Sequence, residues 1–300
     1  MNHFPAFRAT FLAVPTHVVL ACCCACLLLS GCGALVRGAT QPLMDNLALS
    51  VKKQQDLETV RQGIPSYIIF MDALVEGSPD DADTLTASSG LLTAYAMAFT
   101  LDNEPERAKT MTAKAREYSI RAVSERSKVF ARLWDKPASE FGPVPASLDK
   151  SDLKHLHALI NAWGAYIKAR PGSWDDVADL PKIQALADRL LALDETYSYG
   201  APHALMGVLY TILPPAYGGK PEEARIHFER ALEISEGKDL LAYVTYARCY
   251  ARLVLDRELH DALLRHVAET PVDVVPELTL QNALAKQQAA ALAAEADDYF

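Results

Sequence analysis

The side chains best suited to chemistry in this sequence are its histidines and cysteines, and their spacing decides what they can do. His155 and His157 stand two residues apart in a segment with helical periodicity, so their side chains diverge by about 200° and cannot share a metal ion. We predict that one lies at the surface and the other packs inside. The other histidines of the C-terminal half stand singly: His203, His227, His260 and His266. Isolated histidines, like Cys249 in its Ala- and Tyr-rich segment, are more typical of packing than of catalysis.

Motifs of known catalytic centres are missing from the 300 residues. The sequence contains no G-x-S-x-G, H-E-x-x-H, P-loop or G-x-G-x-x-G pattern. The acidic cluster after Pro79 fits the start of a helix, with calcium binding a distant alternative because no EF-hand spacing accompanies it. We therefore predict no catalytic residue, no metal site and no cofactor. A formal net charge of −9 also disfavours a nucleic-acid partner.

The first 32 residues carry the pattern of an export signal. The basic residue Arg8 precedes an apolar run over residues 18–29, which is too short to span a bilayer comfortably but fits a signal peptide. The run ends in Leu-Ser-Gly-Cys, which resembles the bacterial lipobox. The resemblance implies cleavage before Cys32 and its modification by diacylglycerol and an N-acyl chain. Cleavage by the ordinary signal peptidase, with Cys32 incidental, is the alternative.

Lipobox processing divides the chain into three parts: a signal peptide over residues 1–31, a lipidated tether over residues 32–45 and a helical domain over residues 46–300. The mature chain would keep Cys32 and Cys249 as its only cysteines, so no intramolecular disulfide is expected. Acyl chains would anchor the protein to a membrane that the chain itself does not span, with the helical domain facing the periplasm. Gly33, rather than Asp, follows the lipidated cysteine, which by resemblance to the enterobacterial sorting rule favours the outer membrane.

The mature chain has the pattern of an all-α protein. Segments rich in Ala and Leu are separated by Pro and Gly, and no long stretch alternates with a period of two. Proline accompanied by acidic residues predicts helix starts, because proline fits the first turn and carboxylates complement the helix dipole. These starts lie near Pro79, Pro105 and Pro221.

A degenerate repeat underlies the helical pattern. The second helix of a tetratricopeptide repeat has a small residue followed at 4, 7 and 12 by an aromatic residue, a small residue and proline; Ala224, Phe228, Ala231 and Glu236 fit all but the proline. The same spacing begins at Tyr67, Ala108, Ile183 and Leu259. We predict a tetratricopeptide-like helical-hairpin solenoid of four to six degenerate pairs, although any single match also fits plain core packing.

First helices of such pairs line a concave groove. Two of them have the glycine that allows close helix approach, Gly164 and Gly207. The exposed positions of such a helix lie three residues before, one after and four after the small residue. Applied to the two glycines and to Arg248, these offsets predict a half-apolar groove lined by Asn161, Ala165, Lys168, Ala204, Val208, Thr211, Thr245, Cys249 and Arg252. The cations Lys168 and Arg252 would suit the carboxylate of an amphipathic ligand. A solvated helix face is the alternative.

A cluster of rings marks a second candidate surface: Tyr197, Tyr199, His203, Tyr210 and Tyr217. Tyrosine combines a large contact area with a hydroxyl and suits ligand or protein recognition, while core packing is the equal alternative. The Pro214-Pro215 and Gly218-Gly219 pairs nearby predict a loop of defined shape.

The residues around this loop resemble those of a known family. The segment over residues 213–224, with 227–232 after it, resembles the hallmark of the tetratricopeptide lipoprotein TatT, the T component associated with TRAP transporters. Residues 65–78, 243–259 and 280–300 are similar to the same family pattern. The resemblance implies a homotrimeric accessory protein that binds the solute-binding P component of a TRAP transporter and encloses a cleft or pore for an apolar or organic-acid ligand. A generic scaffold for envelope protein assembly is the alternative function.

Overall fold

The computed structural model describes residues 46–300. The chain divides into two units, residues 1–51 and residues 52–300. In the first, residues 46–51 are helical, and Cys32 with the predicted signal peptide lies outside the described residues. Thirteen α-helices lie within residues 57–300. They are α1 (Leu57–Gly77), α2 (Ala82–Tyr95), α3 (Pro105–Arg126), α4 (Lys128–Leu133), α5 (Leu153–Lys168), α6 (Trp174–Val177), α7 (Leu180–Leu193), α8 (Tyr197–Thr211), α9 (Pro221–Ile234), α10 (Leu240–Tyr246), α11 (Arg257–Glu269), α12 (Thr279–Ala294) and α13 (Ala296–Tyr299).

The all-α prediction is confirmed, and the helix starts lie where the sequence pattern predicts them. Helices α3 and α9 begin at Pro105 and Pro221. At α2 the Asp81 side chain caps the helix by accepting a hydrogen bond from the backbone N–H of Thr84 at 2.8 Å. Such a cap satisfies a backbone donor that has no partner within the helix.

Helices close in sequence pack as four pairs, α2 with α3, α5 with α7 across the short α6, α8 with α9 and α10 with α11. Helix α1 packs on α2 at one end, and α12 covers α10 and α11 at the other. Helix α12 also contacts α1, so the two ends of the array meet. An array whose ends meet has a concave inner face.

The repeat spacing identifies the buried faces of the second helices. Ala224, Phe228 and Ala231 of α9 are fully or almost fully buried, as are the equivalent positions of α3 and α7. In four of the five matches the last motif position lies two residues beyond the helix end, as Glu236 does after Ile234. The exception is Ile120, which lies inside α3 because that helix continues to Arg126.

The segment between α4 and α5 interrupts the array without leaving the domain. It folds into three 3₁₀ turns, and its residues Phe141, Val144 and Leu148 are buried in the same core as Phe130 and Trp163. The proline-rich stretch is therefore a packed part of the helical domain.

Two first helices end in a π-helical segment, Ala96–Thr100 after α2 and Ala247–Ala251 after α10. The wider turn appears in the hydrogen bond from the N–H of Arg252 to the carbonyl of Ala247, at 3.2 Å. A π turn adds one residue per turn and rotates all later side chains around the helix axis. This rotation bears directly on the predicted groove.

Candidate functional site: a central cleft

One face of α5 carries a stripe of accessible residues along the inner side of the array. His157, Asn161, Gly164 and Lys168 follow a spacing of four, three and four, which places them on one helix face. Open space surrounds the position that a Cβ atom would occupy on Gly164. Gly164 thus serves no close helix approach, contrary to its predicted role, and leaves room on this face. We call the concave surface that this stripe lines the central cleft.

Other first helices present small and neutral side chains on the same pattern. Ala204, Val208 and Thr211 of α8 and Thr245 of α10, which the groove prediction treats as exposed positions, are each half-buried. Ala165, which was also predicted to face the groove, is buried. The Thr245 hydroxyl donates to the carbonyl of Leu241 at 2.7 Å, so its polar atom is already used within the helix.

Lys168 lies in a recess at the C-terminal end of α5. Its side chain is exposed to solvent, yet loss of hydration is the main cause that lowers the pKa of its amine. Both observations fit a side chain on a concave surface, reached by water but surrounded by protein. The positive charge of Arg248 lowers the pKa further, whereas Cys249 and the carboxylate of Asp102 act in the opposite direction, so Lys168 lies within electrostatic range of all three side chains. Lys168 has no ion-pair partner within 4.0 Å among the described residues.

Arg248 and Cys249 belong to the π-helical segment and complete this end of the cleft. Arg248 donates through Nη2 to Oε1 of Gln288 at 3.0 Å, so its partner is neutral. Burial raises the pKa of the Cys249 thiol, opposed by the charges of Lys168 and Arg248 and by a hydrogen bond with Thr211. Among residues 46–300 neither cation has a carboxylate partner within 4.0 Å, and two such cations in a recess favour an anion at this point.

The opposite end of the α5 stripe is polar and uncharged. The ring of His157 meets the ring of Tyr197 edge-on, with 5.4 Å between centroids. His157 is half-buried, and loss of hydration lowers its pKa from 6.5 to about 4, so the imidazole is neutral at pH 7. His155 on the other side of α5 is buried and its Nδ1 lies 2.7 Å from the hydroxyl of Thr86. The two histidines therefore diverge as their spacing predicts.

Arg252 lies away from this group of residues. Its guanidinium is 3.1 Å from the carboxylate of Glu295 and stacks on the ring of Tyr299, 4.5 Å from the centroid. The π turn between Ala247 and Ala251 explains the displacement, because the offsets assumed an uninterrupted α-helix. Arg248, which the offsets used only as a reference point, is the cation near Lys168.

The predicted ring cluster separates into several environments. Tyr197 lies at the cleft beside His157, whereas His203 and Tyr210 surround His227. Nδ1 of His203 is 2.9 Å from Nδ1 of His227, and its Nε2 is 3.1 Å from the carboxylate of Glu195. Loss of hydration and the neighbouring His203 lower the pKa of His227. This network joins α8 to α9.

Tyr199 and Tyr217 face outward from that network. Tyr199 has a left-handed backbone, φ +61°, as have Ser198 and Gly200 beside it, and it lines a shallow surface hollow with Arg230. Tyr217 is 76% exposed in the 3₁₀ turn Pro215–Tyr217. Gly218 at φ +97° ends that turn, and the adjacent Lys220 N–H donates to the carbonyl of Tyr210 at 2.8 Å. The loop has the defined shape that its Pro and Gly pairs predict.

Residues 46–300 contain neither a cluster of metal ligands nor a membrane-spanning helix. Over this range no three His, Cys, Asp or Glu side chains converge as metal ligands would. Nor does any described helix combine the length and hydrophobicity needed to cross a bilayer.

Fold and cleft together define a class of protein: an array of helix pairs closed around a concave surface with two cations, Lys168 and Arg248, that form no ion pair among the described residues. Comparison with known families is in agreement, since the model of the TRAP transporter T-component family matches residues 53–300. The chain belongs to that family, and its role is that of an accessory component of a TRAP transport system. No curated protein matches the sequence significantly.

Proposed function

We propose that this protein is a lipid-anchored, non-catalytic, periplasm-facing accessory of a TRAP transporter that docks the solute-binding P component and holds an organic acid in the central cleft. Membership of the T-component family supports the transport role. The observation that carries the ligand is that Lys168 feels the charge of Arg248 while neither cation has a carboxylate within 4.0 Å among the described residues. A carboxylate is one of the groups that such cations bind through charge-assisted hydrogen bonds.

The small side chains of the cleft favour an apolar body on that acid. Gly164, Ala204 and Val208 leave space between the helices and offer no hydrogen bond from a side chain. An acid with an apolar chain would place its carboxylate at Lys168 and its chain along α5.

A binding measurement tests the ligand. Dodecanoate titrated into the purified full-length protein in detergent is expected to bind, and Lys168→Met is expected to weaken binding about tenfold or more, because a charge-assisted hydrogen bond is lost. Arg252→Met serves as the matched control, since that cation is paired with Glu295 elsewhere. Equal losses for both variants, or none for Lys168→Met, would contradict the assignment.

Attachment at Cys32 carries its own test. The lipobox pattern supports processing before Cys32, with diacylglycerol and N-acyl groups on its amino-terminal residue, and Gly33 supports sorting to the outer membrane. Mass spectrometry of the mature N-terminal peptide is expected to show the acyl chains, and Cys32→Ser is expected to release the protein from the membrane fraction. An unmodified N-terminus beyond residue 32 would contradict the anchor.

Assembly as a homotrimer is the remaining part of the proposal, and it rests on the family resemblance. Sedimentation velocity of the detergent-solubilised protein is expected to give three times the mass of one chain after correction for bound detergent. A single-chain mass at micromolar concentration would contradict it.

A further inference from the structure

The His157 end of the central cleft has polar groups that the protein itself leaves without partners. Neither ring nitrogen of His157 has a hydrogen-bond partner among the described residues, and the hydroxyl of Tyr197 has none either. Both rings are half-buried rather than exposed. Solvent still reaches these polar atoms, so they are open to a hydrogen bond with a ligand that enters the cleft.

Asn161 contributes a third polar atom one turn along α5. Its amide nitrogen donates to the carbonyl of His157 at 2.9 Å, which fixes the orientation of the side chain, and Oδ1 has no hydrogen-bond partner within the described part of the chain. An imidazole, a phenol and an amide oxygen provide both donors and acceptors. This composition suits a hydroxyl or carbonyl group.

The distance between the two ends of the stripe sets the size of the ligand. His157 and Lys168 are eleven residues apart on one helix face, a rise of about 16 Å. Gly164 lies between them with open space above it. A chain of about twelve carbons spans such a distance.

We propose that the His157 end, formed by His157, Asn161 and Tyr197, recognises a neutral hydrogen-bonding group at the far end of an acid whose single carboxylate lies at Lys168. This inference rests on the proposed function, because it assumes the carboxylate site. It adds that the ligand is a monoanion with a distal hydroxyl or carbonyl, and that His157 and Tyr197 select for that group.

A second carboxylate would be disfavoured at this end. Loss of hydration keeps the pKa of His157 at about 4, with no contribution from a neighbouring charge among the described residues. The same loss of hydration raises the pKa of Tyr197. An anion there would lose water without gaining a cation, which is costly in an enclosed site.

Three probes that differ only in their last carbon test the proposal: dodecanoate, 12-hydroxydodecanoate and dodecanedioate. Each is titrated by calorimetry at pH 7.5 into the full-length protein in detergent. We expect 12-hydroxydodecanoate to bind about three- to tenfold tighter than dodecanoate, the effect of one or two hydrogen bonds. Dodecanedioate is expected to bind more weakly than either.

Variants assign the preference to the His157 end. His157→Leu is expected to abolish the difference between 12-hydroxydodecanoate and dodecanoate while retaining dodecanoate binding, and His157→Gln, which keeps a donor and an acceptor, is expected to preserve part of it. Equal affinity of the two probes in the native protein, or a preference that survives His157→Leu, would overturn the inference. The proposed function would still stand in that case, provided that binding depends on Lys168. If no probe binds, both fail.

Discussion

Replacing His157 tests how strongly the cleft encloses its polar end. In the folded protein the pKa of His157 is about 4, against an ordinary value of 6.5. As pH falls below 6.5 the unfolded chain takes up the proton first, so this contribution to the free energy of unfolding is complete above pH 6.5 and is lost progressively down to pH 4. Each pH unit between the two values is worth about 1.4 kcal/mol, so the loss is at most about 3 kcal/mol. Because His157 is only half-buried, we expect about 1 to 3 kcal/mol.

The assay compares the native protein with His157→Gln by urea unfolding at pH 7.5, 5.5 and 4.5. Acid also weakens pairs such as Arg230 with Glu195, and it protonates His155 and His227, but these groups are common to both proteins and cancel in the difference. The variant is expected to lose less stability on acidification than the native protein. Parallel curves would refute the claim that protein surrounds this imidazole.

Three further predictions concern packing and reactivity. Gly207→Ala places a Cβ atom 2.8 Å from the buried ring of Phe228 and is expected to lower the free energy of unfolding by about 1 to 3 kcal/mol. Gly164→Ala, in open space on a helix, is expected to raise it by about 0.5 to 1 kcal/mol. Urea unfolding measures both variants, and equal effects would contradict the different roles of these glycines. Asn282 is fully buried, and its side chain forms hydrogen bonds with the backbone of Leu240, Lys238 and Val272. Asn282→Ala is therefore expected to lower the free energy of unfolding by about 2 to 4 kcal/mol in the same assay, against less than about 0.5 kcal/mol for the exposed control Gln287→Ala. A small effect of Asn282→Ala would contradict its role in joining α12 to α10. Cys249, whose thiol pKa is raised by burial and lowered by Lys168, is expected to react slowly with N-ethylmaleimide at pH 7.5, and more slowly still in Lys168→Met; faster labelling of that variant would contradict their proximity.

Local sequence signals predicted much of the fold. Proline with acidic neighbours predicted the starts of α3 and α9, and the repeat spacing predicted the buried face around Phe228. These features depend on residues within one or two helical turns, which a sequence displays directly. The role of Gly207 was predictable for a different reason: its contact Phe228 lies in the next helix, and the repeat pattern specifies how the two helices of a pair approach each other.

The cleft was less accessible to sequence reasoning because it depends on helix register and on helices far apart in the chain. The residue pattern does not predict the π turn over Ala247–Ala251. An uninterrupted α-helix would place Arg252 beside Lys168, whereas the cation found there is Arg248. The spacing of His155 and His157 showed that they diverge, yet which of them faces the cleft follows only from the packing of α5 against its neighbours. Extending the groove pattern from Asn161 by four residues towards the N-terminus identifies His157, which lies one turn earlier on the same helix face.

Association with a TRAP solute-binding protein tests the central claim most directly. The full-length protein in detergent is titrated with a TRAP solute-binding P component from the same organism, and in parallel it is used to capture partners from detergent extracts of its own cells. The account predicts saturable binding of the P component in the titration and its recovery in the capture. Absence of binding, with recovery of envelope assembly factors in place of a solute-binding protein, would contradict the account and favour a scaffold.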